Sequence, residues 1–371
     1  MSRPLHLVHV FPSFGAGGSQ MRTVSLMNTL GAETVHTVFS LDGSIEAARR
    51  IASGVACETL TPPAERRAGV RFLARALKTL QPDVLLTYNW GAMDAVAAAI
   101  LSGLRRVIHA EDGFGPDEAV RLKRRRVWAR RFLLRRIHAT VAPSRTLERI
   151  AREQYRLPED KVRYIPNGVD TDHYSPRCGI QLRRRLGIPD DAVVAGYAGR
   201  LGAEKNLGML LGAVRRVGRE NLWVLLAGGG PSRAALEAQA ESLGIGRRVV
   251  FAGQVEDAAP YYNAMDIFAL SSLTEQMPLS LLEAMASGLP AVAAEAGDIA
   301  LMLGDDARRW VVRQGDEAGL AAAIQELASD GELRAKLGAR NRARVEREYS
   351  LGKMAAAYRR LYWEAAGRPE R

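Results

Sequence analysis

Cysteine is nearly absent, with only Cys57 and Cys178 in 371 residues. Two thiols cannot build a disulfide framework and have no metal-ligand spacing, so a reducing cytosol fits and stapling is not needed. Long apolar runs are also missing. The best candidate, "AMDAVAAAILSGL", falls short of the ~18–20 residues that a bilayer span requires and reads as a buried helix. The opening "MSRPLHLVHVFPSFGAGG" carries one early Arg and an apolar run that stops at a Pro and a glycine loop. That pattern fits a first strand with its turn better than a signal peptide. Aromatics make up 6% of the chain, and no strand has the interleaved rings of a single-stranded nucleic-acid platform, so no nucleic-acid partner is expected. Acids are the minority charge, 41 against 52 Lys and Arg, for a net +11.

What is present is a rhythm. Short Val/Leu/Ile runs ("LHLVHVF", "TVHTVFSL", "DVLLTY", "RRVIHA", "HATVAPS") alternate with amphipathic stretches such as "SQMRTVSLMNTL" and "RAGVRFLARALKTL". This alternation predicts parallel sheets covered by helices on both faces. At "YIPNGVDTDHYSPRCG" it breaks into Pro, Gly, Asn and Asp, an interdomain link, and then restarts with "DAVVAGYAGR", "LWVLLAGGG", "RRVVFAG", "DIFALSS" and "LPAVAAE". The chain exceeds one comfortable core. The expected domains are therefore 1–170 and 171–350, with a C-terminal helix at about 351–371 packing back on the first. Ligands of doubly wound sheets bind beyond the carboxyl ends of the strands, so the loops there hold the candidates.

In "TEQMPLSLLEAMASGLP", Glu275 falls at a strand end and Glu283 about one turn into a helix that Pro278 opens at its first position. Free amides at such an N-terminus offer a phosphate site, Glu283 can accept from a ribose diol and Glu275 from sugar hydroxyls. In "AGYAGRLGAEKNL", Arg200 and Lys205 flank a loop before another helix, two cations suited to a diphosphate. "LLAGGGP" and "VVFAGQV" each end a strand in glycine, which lets a flat base approach the backbone; Gly229 and Val255 lie there.

Taken in order, "GR…EKN", "LAGGGP", "FAGQVED…YYNAMDIFALSS" and "E-x7-E…GLPAVA", preceded by "IPNGVD", resemble the retaining glycosyltransferases of family 4, across nearly the whole chain and most densely from 160 to 295. The resemblance implies an α/β GT-B fold: two Rossmann-like doubly wound domains facing across a cleft. It implies transfer from a UDP- or GDP-sugar with no divalent metal and no cofactor beyond the nucleotide-sugar co-substrate. By matched position, Arg200 and Lys205 would bind the diphosphate, Glu283 the ribose and Glu275 the sugar, with the amides near Met277 and Leu279 contacting sugar and phosphate. Two departures stand out: Gln276 replaces the usual Gly after the first Glu, and "AGDIALM" puts Asp298 at the second Gly of a Gly-Gly pair and Leu301 at the following acid.

In the first half, "FPSFGAGGSQ" follows a strand and opens a helix, so Gly17 and Gly18 would bring backbone close to the transferring sugar. A nicotinamide fingerprint is the rival, with Asp42 at about the right distance, but the final Gly of G-x-G-x-x-G is missing. In "VIHAEDGFGPDEA", relatives carry a His-Gly near the anomeric centre; that position holds Asp112 here, with His109 three residues earlier, and either meets the donor. "VDTD" contains an Asp-x-Asp in the link, outside any nucleotide-binding strand context, and no metal is expected on it.

The run "RLKRRRVWARRFLLRR" sets Arg121, Arg124, Arg125, Arg131 and Arg135 among Val127, Trp128, Phe132 and Leu133. A basic amphipathic helix of this kind suits an anionic membrane surface, against an Arg-rich solvated face as the alternative. The sequence-level expectation is a cytoplasmic transferase, peripheral on the inner membrane face, acting on a glycan or lipid-linked glycan acceptor in polysaccharide or glycoconjugate synthesis. Its rivals are a GT-B epimerase or hydrolase and a non-catalytic basic binding module.

Overall fold

The computed structural model describes residues 3–62, 69–114, 118 and 121–369. Parts of three expected segments lie outside the described residues: 67–68 of the second amphipathic stretch, 115–117 and 119 of the loop at 107–119, and 370–371 of the terminal helix. The chain divides into two compact units, one formed by Met1–Asn167 with Gly352–Arg371 and the other by Gly168–Leu351.

The first unit holds β1 (Leu5–Phe11), β2 (Thr34–Ser40), β3 (Cys57–Leu60), β4 (Val84–Tyr88), β5 (Val107–Ala110), β6 (Ala139–Ala142) and β7 (Val162–Tyr164). They form one sheet in the order β3-β2-β1-β4-β5-β6-β7, and every pairing is parallel. The second unit holds β8 (Val193–Ala198), β9 (Leu222–Ala227), β10 (Val249–Gly253), β11 (Ile267–Leu270), β12 (Ala291–Ala294) and β13 (Val311–Val312). Their order is β10-β9-β8-β11-β12-β13, again all parallel. β4, β8 and β11 are buried at every position. Continuous apolar runs are what strands covered on both faces require.

Each sheet has a switch point, β1 beside β4 in the first and β8 beside β11 in the second, where successive strands leave in opposite directions. At such a point the connections depart to opposite sides of the sheet, and the backbone at the strands' carboxyl ends is where ligands of these folds bind. In the second unit Leu210, Leu211 and Val214 from the helix Leu207–Val217 are fully buried, each worth ~1.5–3 kcal/mol over an exposed position. In the first unit the helix Leu351–Ala366 contributes buried Tyr358, Tyr362 and Trp363. No described helix is long and apolar enough to cross a membrane.

Candidate functional site

β8 and β11 are neighbours, so the loops that leave their carboxyl ends meet. The loop after β8 passes Gly199 and Arg200, makes a 3-10 turn at Ala203–Lys205, and enters its helix through Asn206 in a left-handed conformation (φ 48°, ψ 40°). Lys205 Nζ donates to Glu275 Oε1 at 2.5 Å. Ser272 Oγ donates to the same oxygen at 2.8 Å. Ser271 Oγ donates to the Lys205 carbonyl at 3.0 Å, and the Leu273 amide donates to the Glu204 carbonyl at 2.9 Å. Three of these bonds fasten two loops whose charged residues lie 70 positions apart, and the Ser272 bond holds Glu275 within its own loop. The Lys205 and Glu275 side chains are 19% and 10% exposed. Arg200 stays in solvent, paired with Glu204 at 2.8 Å.

The glycine-ended strands are stitched to the same loop. Leu201 N donates to the Gly229 carbonyl, and Gly228 N to the Gly253 carbonyl, both at 2.8 Å. At Gly228 (φ +140°) a Cβ would lie 2.0 Å from the Gly199 carbonyl oxygen, so only glycine allows these backbones to touch. Val255 follows, half-buried, on the loop after β10.

Pro278 sits at the N-cap of the helix Leu279–Ala286, one position before the expected one. Met277 is buried just before the helix, and Leu279 opens it. Glu283 Oε2 accepts from Tyr262 Oη at 2.7 Å. Burial pushes the Glu283 carboxyl above its usual range, while the Tyr262 and Tyr174 hydroxyls oppose the shift. Tyr174 meets Tyr262 edge-on, with ring centroids 5.9 Å apart. The departure at "AGDIALM" has a physical reading. Gly297 (φ +51°) packs so closely under the turn that a Cβ would stand 2.4 Å from the Glu275 carbonyl oxygen. Asp298 has φ −98°, a conformation open to any residue, and its amide bonds the Gln276 carbonyl at 2.9 Å. Leu301 points to solvent.

In the first unit, Gly17 caps the helix Gly18–Leu30, which begins beyond β1. Arg22 on that helix is buried, and its guanidinium grips both carboxylate oxygens of Asp112 and bonds Asn167 Oδ1 at 3.2 Å. The Asp112 amide donates to Asn89 Oδ1 at 2.7 Å. Burial disfavours charge on Arg22, but Asp112 more than offsets it and the group stays protonated. His109 is a different case: it has no exposed surface, its Nδ1 is 2.9 Å from Thr87 Oγ1, and its Nε2 is 3.9 Å from Glu111 Oε2. Its side chain lies in the sheet interior, between Thr87 and Glu111.

Asp42 binds the Ser44 amide at 2.9 Å and the Ser40 hydroxyl at 3.1 Å, the contacts of a turn. Asp170 likewise accepts from the amides of Asp172 and His173. Among the described residues no group of three or more His, Cys, Asp or Glu could hold a metal ion.

The structure therefore brings together Lys205, Glu275, Gly229 and the start of the 279–286 helix, with Arg200 at the rim. Sequence reasoning missed Ser271 and Ser272, Tyr262, and the Arg22 anchor of Asp112. The "SS" at the end of "DIFALSS" was the available signal for the first two. Arg22 sits one helical turn past "GG" and carried none.

Comparison with known proteins bears on the whole chain. A family model described as Glycosyltransferase Family 4 matches residues 16–173, and one described as Glycosyl transferases group 1 matches residues 180–344. A D-inositol 3-phosphate glycosyltransferase of Stackebrandtia nassauensis is 36% identical over 200 residues, 50% of this chain and 45% of that protein. The lipopolysaccharide core biosynthesis glycosyltransferase LpsE of Rhizobium meliloti is 33% identical over 179 residues, 48% of this chain and 52% of its own. The chain spans about half the length of these curated relatives. In fold it resembles Anabaena HepE, solved in complex with UDP-glucose (TM-score 0.83, 19% identity, 98% of this chain and 100% of that one). Both sheets and both matched segments lead to one assignment: the chain belongs to the family 4, group 1 glycosyltransferases and has their GT-B fold.

Proposed function

We propose that this chain transfers a sugar from a UDP- or GDP-sugar to a glycan or lipid-linked glycan acceptor, with retention of configuration and without a metal ion. The observation that supports this most is the Lys205–Glu275 pair. An ammonium has three donors; one is spent on Glu275, and two remain for phosphate oxygens. Glu275 Oε1 takes both the Lys205 and Ser272 bonds, which leaves Oε2 for sugar hydroxyls. A cation and a hydroxyl acceptor in mutual contact match a nucleotide sugar, whose diphosphate and hexose are adjacent groups.

On this reading Arg200 leaves Glu204 to meet the diphosphate, and Glu283 accepts from the ribose. The first-turn amides of the Leu279–Ala286 helix face the phosphate. As the glycosidic bond breaks, charge grows on the leaving diphosphate, and the preplaced Lys205 stabilises it more than it stabilises the bound donor. In the first unit Arg22 holds the Asp112 carboxylate and Asn89 its amide, and we assign this residue, with the adjoining Gly113, a role toward the transferred sugar. LpsE, by its name, serves lipopolysaccharide core biosynthesis, which supports a glycan acceptor, and HepE's complex with UDP-glucose supports a UDP-sugar donor.

The test is transfer from a panel of UDP-, GDP- and ADP-sugars, with and without a glycan acceptor and in excess EDTA. Acceptor-dependent release of UDP or GDP that persists in EDTA is the expected result. Nucleotide release without an acceptor means a hydrolase, sugar interconversion without release means an epimerase, and loss in EDTA restored by Mn²⁺ refutes the metal-free mechanism.

A further inference from the structure

The helix Arg124–Leu134 has two dissimilar faces. Inward, Leu134 is buried and Val127 and Leu133 pack on the core of the first unit. Arg130 turns inward too, bonding Glu111 at 2.7 Å beneath the Trp90 ring, and Arg126 pairs with Glu118 at 2.9 Å. These two cations are neutralised and take no part in the outer surface.

The outer stripe runs Arg124, Arg125, Trp128, Arg131, Phe132 and Arg135, a spacing that puts all six on one side of a helix. Trp128 is 64% exposed and Phe132 is 59% exposed. Two large rings one turn apart in water are unusual on a surface otherwise rich in charge. The Arg131 guanidinium stacks on Trp128 at 5.1 Å and that of Arg136 on Phe132 at 3.7 Å. On the adjoining helix Met93–Leu101, Leu101 is 75% exposed. Just beyond it Arg105 bonds the Arg136 carbonyl at 3.3 Å. No acid occurs from 121 to 136, and none of the stripe's arginines has an acidic partner among the described residues. Partial loss of water, with Arg156 and Arg135 nearby, pulls Arg131 below the usual arginine range.

A run of mutually repelling cations around two exposed rings needs a surface that is anionic outside and apolar a few ångströms deeper. A second copy of this face would bring like charges together. A phosphate backbone alone would leave the paired rings in water. We infer that this face docks on an anionic lipid leaflet, with Trp128 and Phe132 at the headgroup–acyl boundary and the arginines on lipid phosphates. The anchor involves none of the donor-site residues, so it stands or falls apart from the proposed reaction.

Of five tryptophans, only Trp128 is exposed, which makes intrinsic fluorescence a direct probe. The full chain is titrated with vesicles of phosphatidylcholine alone or mixed with phosphatidylserine. Expected are binding to the anionic vesicles, a blue shift of the emission, and quenching by brominated acyl chains. Trp128→Ala/Phe132→Ala, which keeps every charge, should bind at least ~10-fold more weakly, since a single weak anchor binds only marginally. Arg124→Glu/Arg125→Glu should lose more than ~10-fold, at about fivefold per cation removed. Thermal melting is unchanged in both. Equal binding to neutral and anionic vesicles overturns the inference, as does anionic binding with no blue shift and no effect of the aromatic pair. Tighter binding to an RNA or duplex DNA oligonucleotide than to anionic vesicles, or dimerisation that Trp128→Ala abolishes, assigns the face to another partner.

Discussion

Replacing Lys205 with Ala removes a cation that does two things, and the two can be measured apart. A unit charge about 4 Å away contributes ~4 kcal/mol at an effective dielectric near 20. Only the change in leaving-group charge between bound donor and transition state counts toward rate. If half to all of a charge moves, the loss is ~2–4 kcal/mol, or about 30- to 10³-fold in turnover. Separately, the variant strands Glu275, whose side chain is 10% exposed. Ser272 still donates to it, so the stability cost falls to ~1–2 kcal/mol, roughly 2–8 °C in melting for a unit of this size. The double variant Lys205→Ala/Glu275→Gln removes the stranded charge. Its melting temperature should recover, while affinity for free UDP or GDP stays as weak as in Lys205→Ala, because Glu275 is assigned to the sugar. Kinetics on the donor and calorimetric titration with the nucleotide supply the readings. Nucleotide affinity that returns along with the melting temperature would refute a direct electrostatic role, as would Lys205→Ala turnover within ~3-fold of the native protein.

Glu283 accepts from both hydroxyls of a ribose diol best when ionised, since a protonated carboxyl turns one oxygen into a donor, and burial raises its folded pKa. The sign follows: nucleotide affinity climbs as pH rises through that raised value and then levels off, whereas the carboxyl's contribution to folding runs the other way and is lost over the same rise. Tyr262→Phe removes a bond to the carboxylate and should move the affinity profile to higher pH; an unmoved profile argues against Glu283 as the ribose acceptor. Asp112→Asn leaves the Arg22 guanidinium buried without its counter-charge and should cost ~3–5 kcal/mol of stability in the first unit, read by denaturant unfolding. Gly297→Ala forces a Cβ against the Glu275 carbonyl in a left-handed conformation; we expect loss of ~2 kcal/mol or more and weakened donor binding, measured by thermal shift with UDP-glucose.

The alternation of apolar runs and amphipathic stretches was enough to read both sheets, because strands buried on two faces must be apolar throughout. Three edge strands escaped that reading. β3 ("CETL"), β7 ("VRY") and β13 ("VV") are short, and edge positions tolerate polar residues or need little length. The residue types at the donor loops were legible, but the bond between Lys205 and Glu275 was not, since it depends on β8 lying beside β11. His109 and Arg130 show the opposite problem. A strand-end His and one Arg among many look accessible in a sequence, and only the packing of Thr87 against the first and Glu111 against the second reveals them as interior groups.

The first unit closes with residues from Gly352 onward, including Tyr358, whose ring lies 5.8 Å from the Arg22 guanidinium. During synthesis that segment leaves the ribosome about 185 residues after Asn167, a delay on the order of 10–40 s at ~5–20 residues per second. The later unit, Gly168–Leu351, is continuous and acquires all of its parts first. The earlier one waits through that interval without the Tyr358 ring against its buried arginine, so the half made first is the half finished last.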